Sequence, residues 1–330
     1  MQKFINRAEN ITSEALEALV LAHSDELALV GERLVVNKKL AQAERVAVVA
    51  LGGACFEPAL SGFVGEGLLD VFACGDVLAA PGPQVVLDAL QLADRGQGVL
   101  LVCGRDTGAE LSARIAVQQA KKLGLAVELV FVQDNIASAD YEHRGERSAL
   151  GGCFVICKLA AAAAAAGRTL AEVQAVCERA VQQLASLAVV AGVGTNPATG
   201  RPLAEAVEAG YVRVGTDELG AGGELLPRLT ADALAELAAA RLIADLQLEA
   251  GAEVLFIVSG SGAATLAEQL IVFRSCYKQL AERGIRVAAQ AVAPLMTAFD
   301  TQGLQLIMLR LDAELAAYWQ ARCRTPYYKN

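Results

Sequence analysis

Residues 45–53 read RVAVVALGG, a short apolar run rich in valine that ends in Gly52-Gly53. Such a run has the length and β-branched content of a strand buried on both faces, and the two glycines mark the turn that closes it. The same form returns at 69–73 before Cys74-Gly75, at 98–103 before Gly104, and at 126–132 before Gln133-Asp134-Asn135. Helical stretches fill the gaps. Residues 84–93 follow Pro81-Gly82-Pro83, and 109–123 carry Lys121-Lys122 in the last turn ahead of Gly124, the charge and stop signal of a helix C-terminus. Strands alternating with helices predict a layered α/β protein, each sheet largely parallel or mixed and flanked by helices.

Working outward, residues 12–22 place apolar side chains at helical spacing behind Thr12 and Ser13, which offer an N-cap oxygen. The alanine tract 160–166 predicts a closely packed helix ending at Gly167. Farther along come a helix over 231–248 behind Thr230, a strand at 253–258, a helix over 265–283 before Gly284, strands at 286–291 and 304–311, and a last helix after Asp312. The chain has 330 residues, more than one core usually holds, since cores stop growing near ~250–300 residues. Two domains are therefore expected. The stretch 184–202 shifts from apolar to Gly192, Gly194, Asn196, Pro197, Gly200 and Pro202, which puts the boundary near 188, with domains 1–188 and 189–330.

Composition narrows the function classes. The chain carries 28 Lys and Arg against 37 Asp and Glu, a net charge of −9, which opposes binding to a phosphate backbone. Apolar residues make up 55%, yet runs such as 159–166 are bounded by Lys158, Gly167 and Arg168, so no membrane span is expected. Residues 1–10 mix Lys3, Arg7 and Glu9 without an apolar core, and a cytoplasmic location follows as the expectation. Eight cysteines without a CxxC read as buried hydrophobes of a reducing compartment. Cys153 and Cys157 lie one helical turn apart with no His or acid at matching spacing, so no metal is assigned. Only His23 and His143 exist, and schemes with two facing imidazoles have almost no raw material. His23 reads as an end-of-helix residue and His143 as a solvated or structural one.

Ligands of parallel α/β sheets sit beyond the carboxyl ends of strands, which directs attention to 51–58, 74–83 and 104–109. Gly52 and Gly53 would present backbone N–H groups, with Glu57 close by, while Arg105, Asp106, Thr107 and Gly108 add a cation, a carboxylate and a hydroxyl at a second strand end. Gly260-Ser261-Gly262 lacks the last glycine and the ribose-binding acid of a dinucleotide fingerprint. No Walker A lysine motif occurs, and any nucleotide would come from elsewhere.

These residues, with Gly62-Phe63-Val64-Gly65, Cys74-Gly75-Asp76-Val77, Thr195-Asn196-Pro197-Ala198-Thr199-Gly200-Arg201-Pro202, Met296-Thr297, Leu309-Arg310-Leu311-Asp312 and Thr325-Pro326, resemble the K subunit of dihydroxyacetone (glycerone) kinase from end to end. The resemblance implies two α/β domains, a homodimer, and a kinase of glycerol metabolism. It also implies a substrate site on the first domain reached by the 213–220 loop of the second. In this family a histidine captures the ketone as a hemiaminal, an aspartate and a second histidine assist, and ATP or another phosphoryl donor is held by a separate L-type subunit or domain. On that pattern this chain binds no cofactor itself and is at most the substrate-binding half.

The family's reactive residues are exchanged. Its Gly-Ser-Gly-His-Glu-Pro stands here as Gly53-Ala54-Cys55-Phe56-Glu57-Pro58, its Lys-Asn-Tyr-Thr-Gly-Asp as Gly104 to Ala109, and its His-Gly-Glu-Pro-Gly as Thr216-Asp217-Glu218-Leu219-Gly220. Phe56, Ala109 and Thr216 thus occupy the histidine, carboxylate and nucleophile positions. A threonine hydroxyl without a neighbouring base does not attack a carbonyl as an imidazole does. Two readings stay open. In one the chain is a pseudoenzyme that binds a small polyol or ketose and acts through a transcription regulator, with Arg105, Asp106, Thr216 and Asp217 as a new polar set. In the other it presents an altered substrate to an L-type kinase subunit without covalent capture.

Overall fold

The computed structural model describes residues 3–330, and Met1 and Gln2 of the amino-terminal stretch lie outside the described residues. In chain order the elements are α1 (Ile11–Ala22), β1 (Leu27–Val30), β2 (Leu34–Asn37), β3 (Ala47–Ala54), β4 (Val71–Val77), α2 (Pro83–Ala93), β5 (Val99–Gly104), α3 (Thr107–Lys122) and β6 (Val127–Val132). There follow α4 (Gly152–Ala165), α5 (Leu170–Gln182), β7 (Leu184–Gly192), β8 (Tyr211–Thr216), β9 (Gly222–Pro227) and α6 (Ala231–Asp245). The chain ends with β10 (Glu253–Gly260), α7 (Leu266–Glu282), β11 (Arg286–Val292), β12 (Gln302–Arg310) and α8 (Ala313–Gln320).

Two compact units result, each around its own sheet. One comprises residues 4–132, 153–180 and 317–330, the other Lys3 with 133–152 and 181–316. A single cut at 188 does not describe this division, because 188 lies inside β7, and the Gly- and Pro-rich stretch after it is a closed loop of the second unit. There Asn196 Oδ1 accepts from the N–H groups of Ala198 and Thr199, and Thr195 bridges Pro202. Glycine and proline mark a turn there, not a linker.

The first unit's sheet has six strands in the order β1-β2-β4-β3-β5-β6. The four strands that read as buried runs, β4, β3, β5 and β6, are parallel, and β1 and β2 add antiparallel neighbours at one edge. The period of two along the strands builds the core on one face: Ala47, Val49, Leu51, Leu101 and Cys103 meet Val86, Leu90, Ala113 and Ala116 from α2 and α3 in one buried cluster. The second unit's sheet, β11-β10-β12-β7-β8-β9, is also six-stranded, but only β10 and β11 run parallel. Its core packs Leu187, Phe256 and Met308 against Ala238, Leu242 and Cys276. Both sheets are mixed and carry helices, as the alternation of elements predicts.

Helix starts show where local reading succeeds. Thr230 caps α6 by accepting from Ala233 N–H, and Thr265 with Glu268 forms a full capping box on α7. For α1 the outcome differs: the helix begins at Ile11 behind a short 3-10 turn, Thr12 is buried, and Ser13 Oγ donates back to the Asn10 carbonyl. The alanine tract is packed as expected, with Ala160 to Ala164 buried. All eight cysteines, Cys153 and Cys157 among them, are buried and free of disulfides.

Candidate functional site

In the first unit β3 does not stop at Leu51 but continues through Gly52 and Gly53 to Ala54. A Cβ on Gly53 would stand 2.7 Å from the Ala79 backbone nitrogen, so glycine is required there by the close approach of the 78–79 backbone. The turn comes one residue later, at Cys55, whose φ of +77° is left-handed. This is a costly conformation for a residue with a side chain, of order 1–2 kcal/mol. The Glu57 carboxylate supports it, Oε1 accepting from Cys55 N–H at 3.0 Å. Phe56 is half-buried. Burial pushes the Cys55 thiol far above its usual range, and the buried Cys74 thiol at the end of the neighbouring β4 up to about 12. Neither is a thiolate nucleophile near neutral pH.

The second loop uses its polar side chains on itself. Asp106 is the N-cap of α3, its Oδ1 accepting from the N–H groups of Gly108 and Ala109, each at 2.9 Å. Thr107 is the first helical residue, and Gly108 has ordinary room for a side chain. Arg105 Nε donates to Glu110 Oε2 at 3.2 Å, within its own loop and helix. Glu110 is bound also by Arg114, and these cations hold its carboxyl below the usual range, the Arg114 hydrogen bond most of all. Ala109 is buried, its methyl packed in the core cluster. A surface pair of this kind contributes little to stability, but it fixes where Arg105 reaches.

In the second unit, Thr216 ends β8 and has no exposed surface. Its carbonyl accepts from Asn135 Nδ2 at 3.1 Å, whereas its buried hydroxyl has no hydrogen-bond partner among the described residues. Asp217 closes the β8–β9 connection: its Oδ1 accepts from Leu219 N–H at 2.9 Å and Ala221 N–H at 2.8 Å. The segment 213–220, expected as a reaching loop, is therefore strand as far as Thr216 and a self-closed turn beyond it. Gly215, at φ +86°, is required by Ala137, whose Cβ lies 2.6 Å from where a glycine Cβ would be.

Of the polar set proposed from sequence, Asp106 and Asp217 are committed to backbone N–H groups and Arg105 to Glu110. Thr216 alone keeps an unused hydroxyl. The histidines stand elsewhere: His23 meets Tyr327 edge to face, and exposed His143 is held by Asp140 at 2.8 Å, whose hydrogen bond raises its pKa. The loop after β10 does not cradle phosphate. Ser261 and Ala263 donate their N–H groups to the carbonyls of Gly303 and Thr301, and Gly262 is glycine because the Phe299 carbonyl presses against it.

The sequence pattern reads Gln133-Asp134-Asn135 as a turn and does not disclose its role. Asp134 is fully buried and accepts from Leu150 N–H (2.8 Å), Gly152 N–H (2.9 Å) and Ser186 Oγ. Desolvation raises its pKa. Its neighbour Asn135 holds the Thr216 carbonyl and bonds Ser148 Oγ, so this pair fixes the backbone at the end of β8. Nothing in local pattern tells such an acid from an exposed turn residue.

The geometry defines a two-unit α/β protein with glycine-shaped strand ends and no imidazole in its candidate loops. The Dak1 domain model matches residues 17–327, and the chain belongs to the Dak1 family. It is 31% identical over 322 residues to the dihydroxyacetone-binding subunit DhaK of a PTS-dependent dihydroxyacetone kinase of Listeria innocua, covering 95% of each chain. It is 32% identical to the L-erythrulose kinase of Pectobacterium atrosepticum, matching 100% of this chain and 56% of that one. Among solved structures, the dihydroxyacetone kinase from C. freundii superposes with a TM-score of 0.86 at 25% identity, over 100% of this chain and 61% of that chain. The dihydroxyacetone kinase operon co-activator Dha-DhaQ superposes with a TM-score of 0.88 at 21% identity, over 96% and 97%, a likeness of fold. No helix among the described residues is long and apolar enough to cross a membrane.

Proposed function

We propose that this chain binds a small hydroxylated carbonyl compound, a short polyol or ketose, without covalent capture and in a regulatory or non-catalytic role within its family. The observation that carries this reading is Thr216: at the position of the family's capturing histidine stands a fully buried hydroxyl with no hydrogen-bonded base beside it among the described residues. Phe56 and the core-packed Ala109 remove the other two reactive groups. Such a protein works through a partner, either a transcription regulator or an L-type subunit, and as a homodimer in the cytoplasm. Any ATP or other phosphoryl donor belongs to that partner.

A second reading is favoured by the relatives: the chain is 31% and 32% identical to the DhaK subunit and the erythrulose kinase over nearly its whole length, while its likeness to the co-activator, at 21%, is one of fold. In it the chain positions an altered ketose for an L-type subunit, since positioning alone carries much of a phosphoryl transfer. The test is intact-mass analysis under native conditions after incubation with dihydroxyacetone or erythrulose, followed by turnover with an L-type subunit and ATP. No adduct and no turnover above the partner alone are expected. Turnover without an adduct establishes the second reading, and a covalent ketose adduct overturns both.

A further inference from the structure

We infer that the first unit carries a second ligand site, a polar cleft at the amino-terminal end of its parallel strands that takes a small zwitterion such as a free α-amino acid. The inference is independent of the functional reading. The cleft has a volume of about 210 Å³ and is lined by Asp25, Glu26, Asn37, Lys39, Glu66 and Arg324, with Gly65 between them. Asn37 fixes its place, because its N–H donates to the carbonyl of Asp70, the residue before β4. Phe56 and Arg105 follow the carboxyl ends of β3 and β5, which run parallel to β4, so they belong to the other end of the sheet.

Four segments distant in sequence build the walls, and backbone bonds hold them. Arg324 N–H donates to the Glu66 carbonyl at 2.8 Å, and Lys38 N–H to the Glu26 carbonyl at 3.0 Å. Residue 65 is glycine because a Cβ there would stand 2.7 Å from the Arg324 carbonyl oxygen. The cleft is thus formed in advance of any ligand, as small-molecule sites usually are.

Its charges alternate in sign. Lys39 pairs with Glu66 and Arg324 with Glu26, each at 2.8 Å. The Lys39 hydrogen bond above all, with Arg322 and Arg324 farther off, holds the Glu66 carboxyl below its usual range. Exposed pairs of this kind contribute little to stability, so a charged solute can exchange with either member. Two groups are not spent at all. The Asp25 carboxylate has no partner among the described residues. Asn37 is only 4% exposed, and its Oδ1 accepts from Lys39 N–H at 3.0 Å, which fixes how the amide is turned. No hydrogen bond uses its Nδ2 among the described residues. An almost buried donor left unpaired is costly until an acceptor oxygen meets it.

A simple anion would face three carboxylates here, and a simple cation would leave Asn37 Nδ2, Lys39 and Arg324 without an acceptor. A zwitterion serves both sets, its carboxylate accepting from Asn37 Nδ2 and Lys39 and its ammonium donating to Asp25. Size agrees with this choice. At ~30 Å³ per water the cleft holds the bulk of about seven waters, or of a molecule of roughly five to ten heavy atoms. It is smaller than the ~300–1,000 Å³ of sites for drug-sized ligands.

The test is calorimetric titration and thermal shift on the full chain at fixed ionic strength. Glycine, serine, glutamate and lysine are the probes, and ethanolamine and acetate are controls that carry one charge each. At about 10 mM, a ligand with a millimolar Kd raises Tm measurably by mass action. At least one amino acid should do so, and neither control should. Asp25→Asn and Lys39→Met should each weaken binding roughly tenfold, whereas Lys122→Met, at an exposed lysine ending α3, should not. Asp25 and Lys39 are exposed, and unchanged circular dichroism shows that the variants fold. No shift with any of the four amino acids overturns the inference. So does a shift that persists unchanged in both cleft variants, or one that ethanolamine or acetate reproduces. Ketose capture is read separately by the mass experiment, so the two readings fail independently.

Discussion

Replacing Thr216 with valine should make the protein more stable. The two side chains have the same shape, and Thr216 is fully buried with its hydroxyl unpartnered. A buried hydroxyl without a hydrogen bond costs about 1–3 kcal/mol by mutational measures, and the substitution removes that cost. The bond from Asn135 Nδ2 runs to the Thr216 carbonyl, so it survives the change. Valine also suits the strand position at the end of β8. Allowing for partial relaxation around the hydroxyl, a gain of about 1–2 kcal/mol is expected, or roughly 2–4 °C in Tm per kcal/mol for a unit of this size. Urea denaturation followed by circular dichroism reads it as a higher midpoint at constant slope. If the hydroxyl is kept for a ligand, the thermal shift produced by erythrulose or dihydroxyacetone should shrink in the same variant. A loss of stability greater than about 0.5 kcal/mol would mean that the hydroxyl is bonded, and the reasoning about an idle group at this position would be refuted.

Three further outcomes follow from buried or strained groups. Asp134 has a raised pKa, so its folded form favours the proton: its contribution is complete below the unfolded value near ~3.9 and declines as pH rises through the folded value. The stability of wild type relative to Asp134→Asn should therefore fall as pH increases from about 4, and a flat difference would show that Asp134 stays charged. Asp245→Asn should destabilise by about 3–5 kcal/mol, because buried Arg147 donates to both Asp245 oxygens, at 3.0 and 2.5 Å, and would lose its counter-charge; a change under about 1 kcal/mol on urea denaturation would contradict this. Gln247 is exposed at φ +49° just after α6, and Gln247→Gly should stabilise by about 0.5–1 kcal/mol, read as a higher Tm, where a lower one would count against the left-handed conformation.

The first sheet was legible because its strands are buried on both faces and each ends at a glycine or polar turn, so 45–51, 98–103 and 126–132 fall within a few residues of β3, β5 and β6. Strands β1, β2, β8 and β9 were missed for a different reason. They are only four to six residues long, too short for their apolar runs to stand out, and β9 is mostly exposed. The boundary near 188 misled because the Gly192–Pro202 composition marks a turn within one unit, while the passage between units is made by ordinary-looking residues. At the candidate loops, sequence named polar residues but not their allegiance. Asp106 and Asp217 have the composition of ligand contacts and the geometry of caps, and short acids beside glycines serve both ends equally well.

That allegiance bears on what a ligand would find. A carboxylate that already accepts two backbone N–H bonds loses them if it turns toward a ligand, at about 0.5–1.5 kcal/mol each. Asp106 and Asp217 would have to give up two such bonds apiece, and α3 would lose its cap. Of the residues singled out from sequence, the Thr216 hydroxyl and, in the other unit, the half-buried ring of Phe56 are not spent on such bonds. If a ligand uses the Thr216 hydroxyl, Thr216→Val should weaken it, while Asp106→Asn or Asp217→Asn should lower Tm first and change ligand response only in proportion to the lost order. If either aspartate variant abolished the ligand shift with Tm unchanged, the assignment of these acids to caps would be wrong.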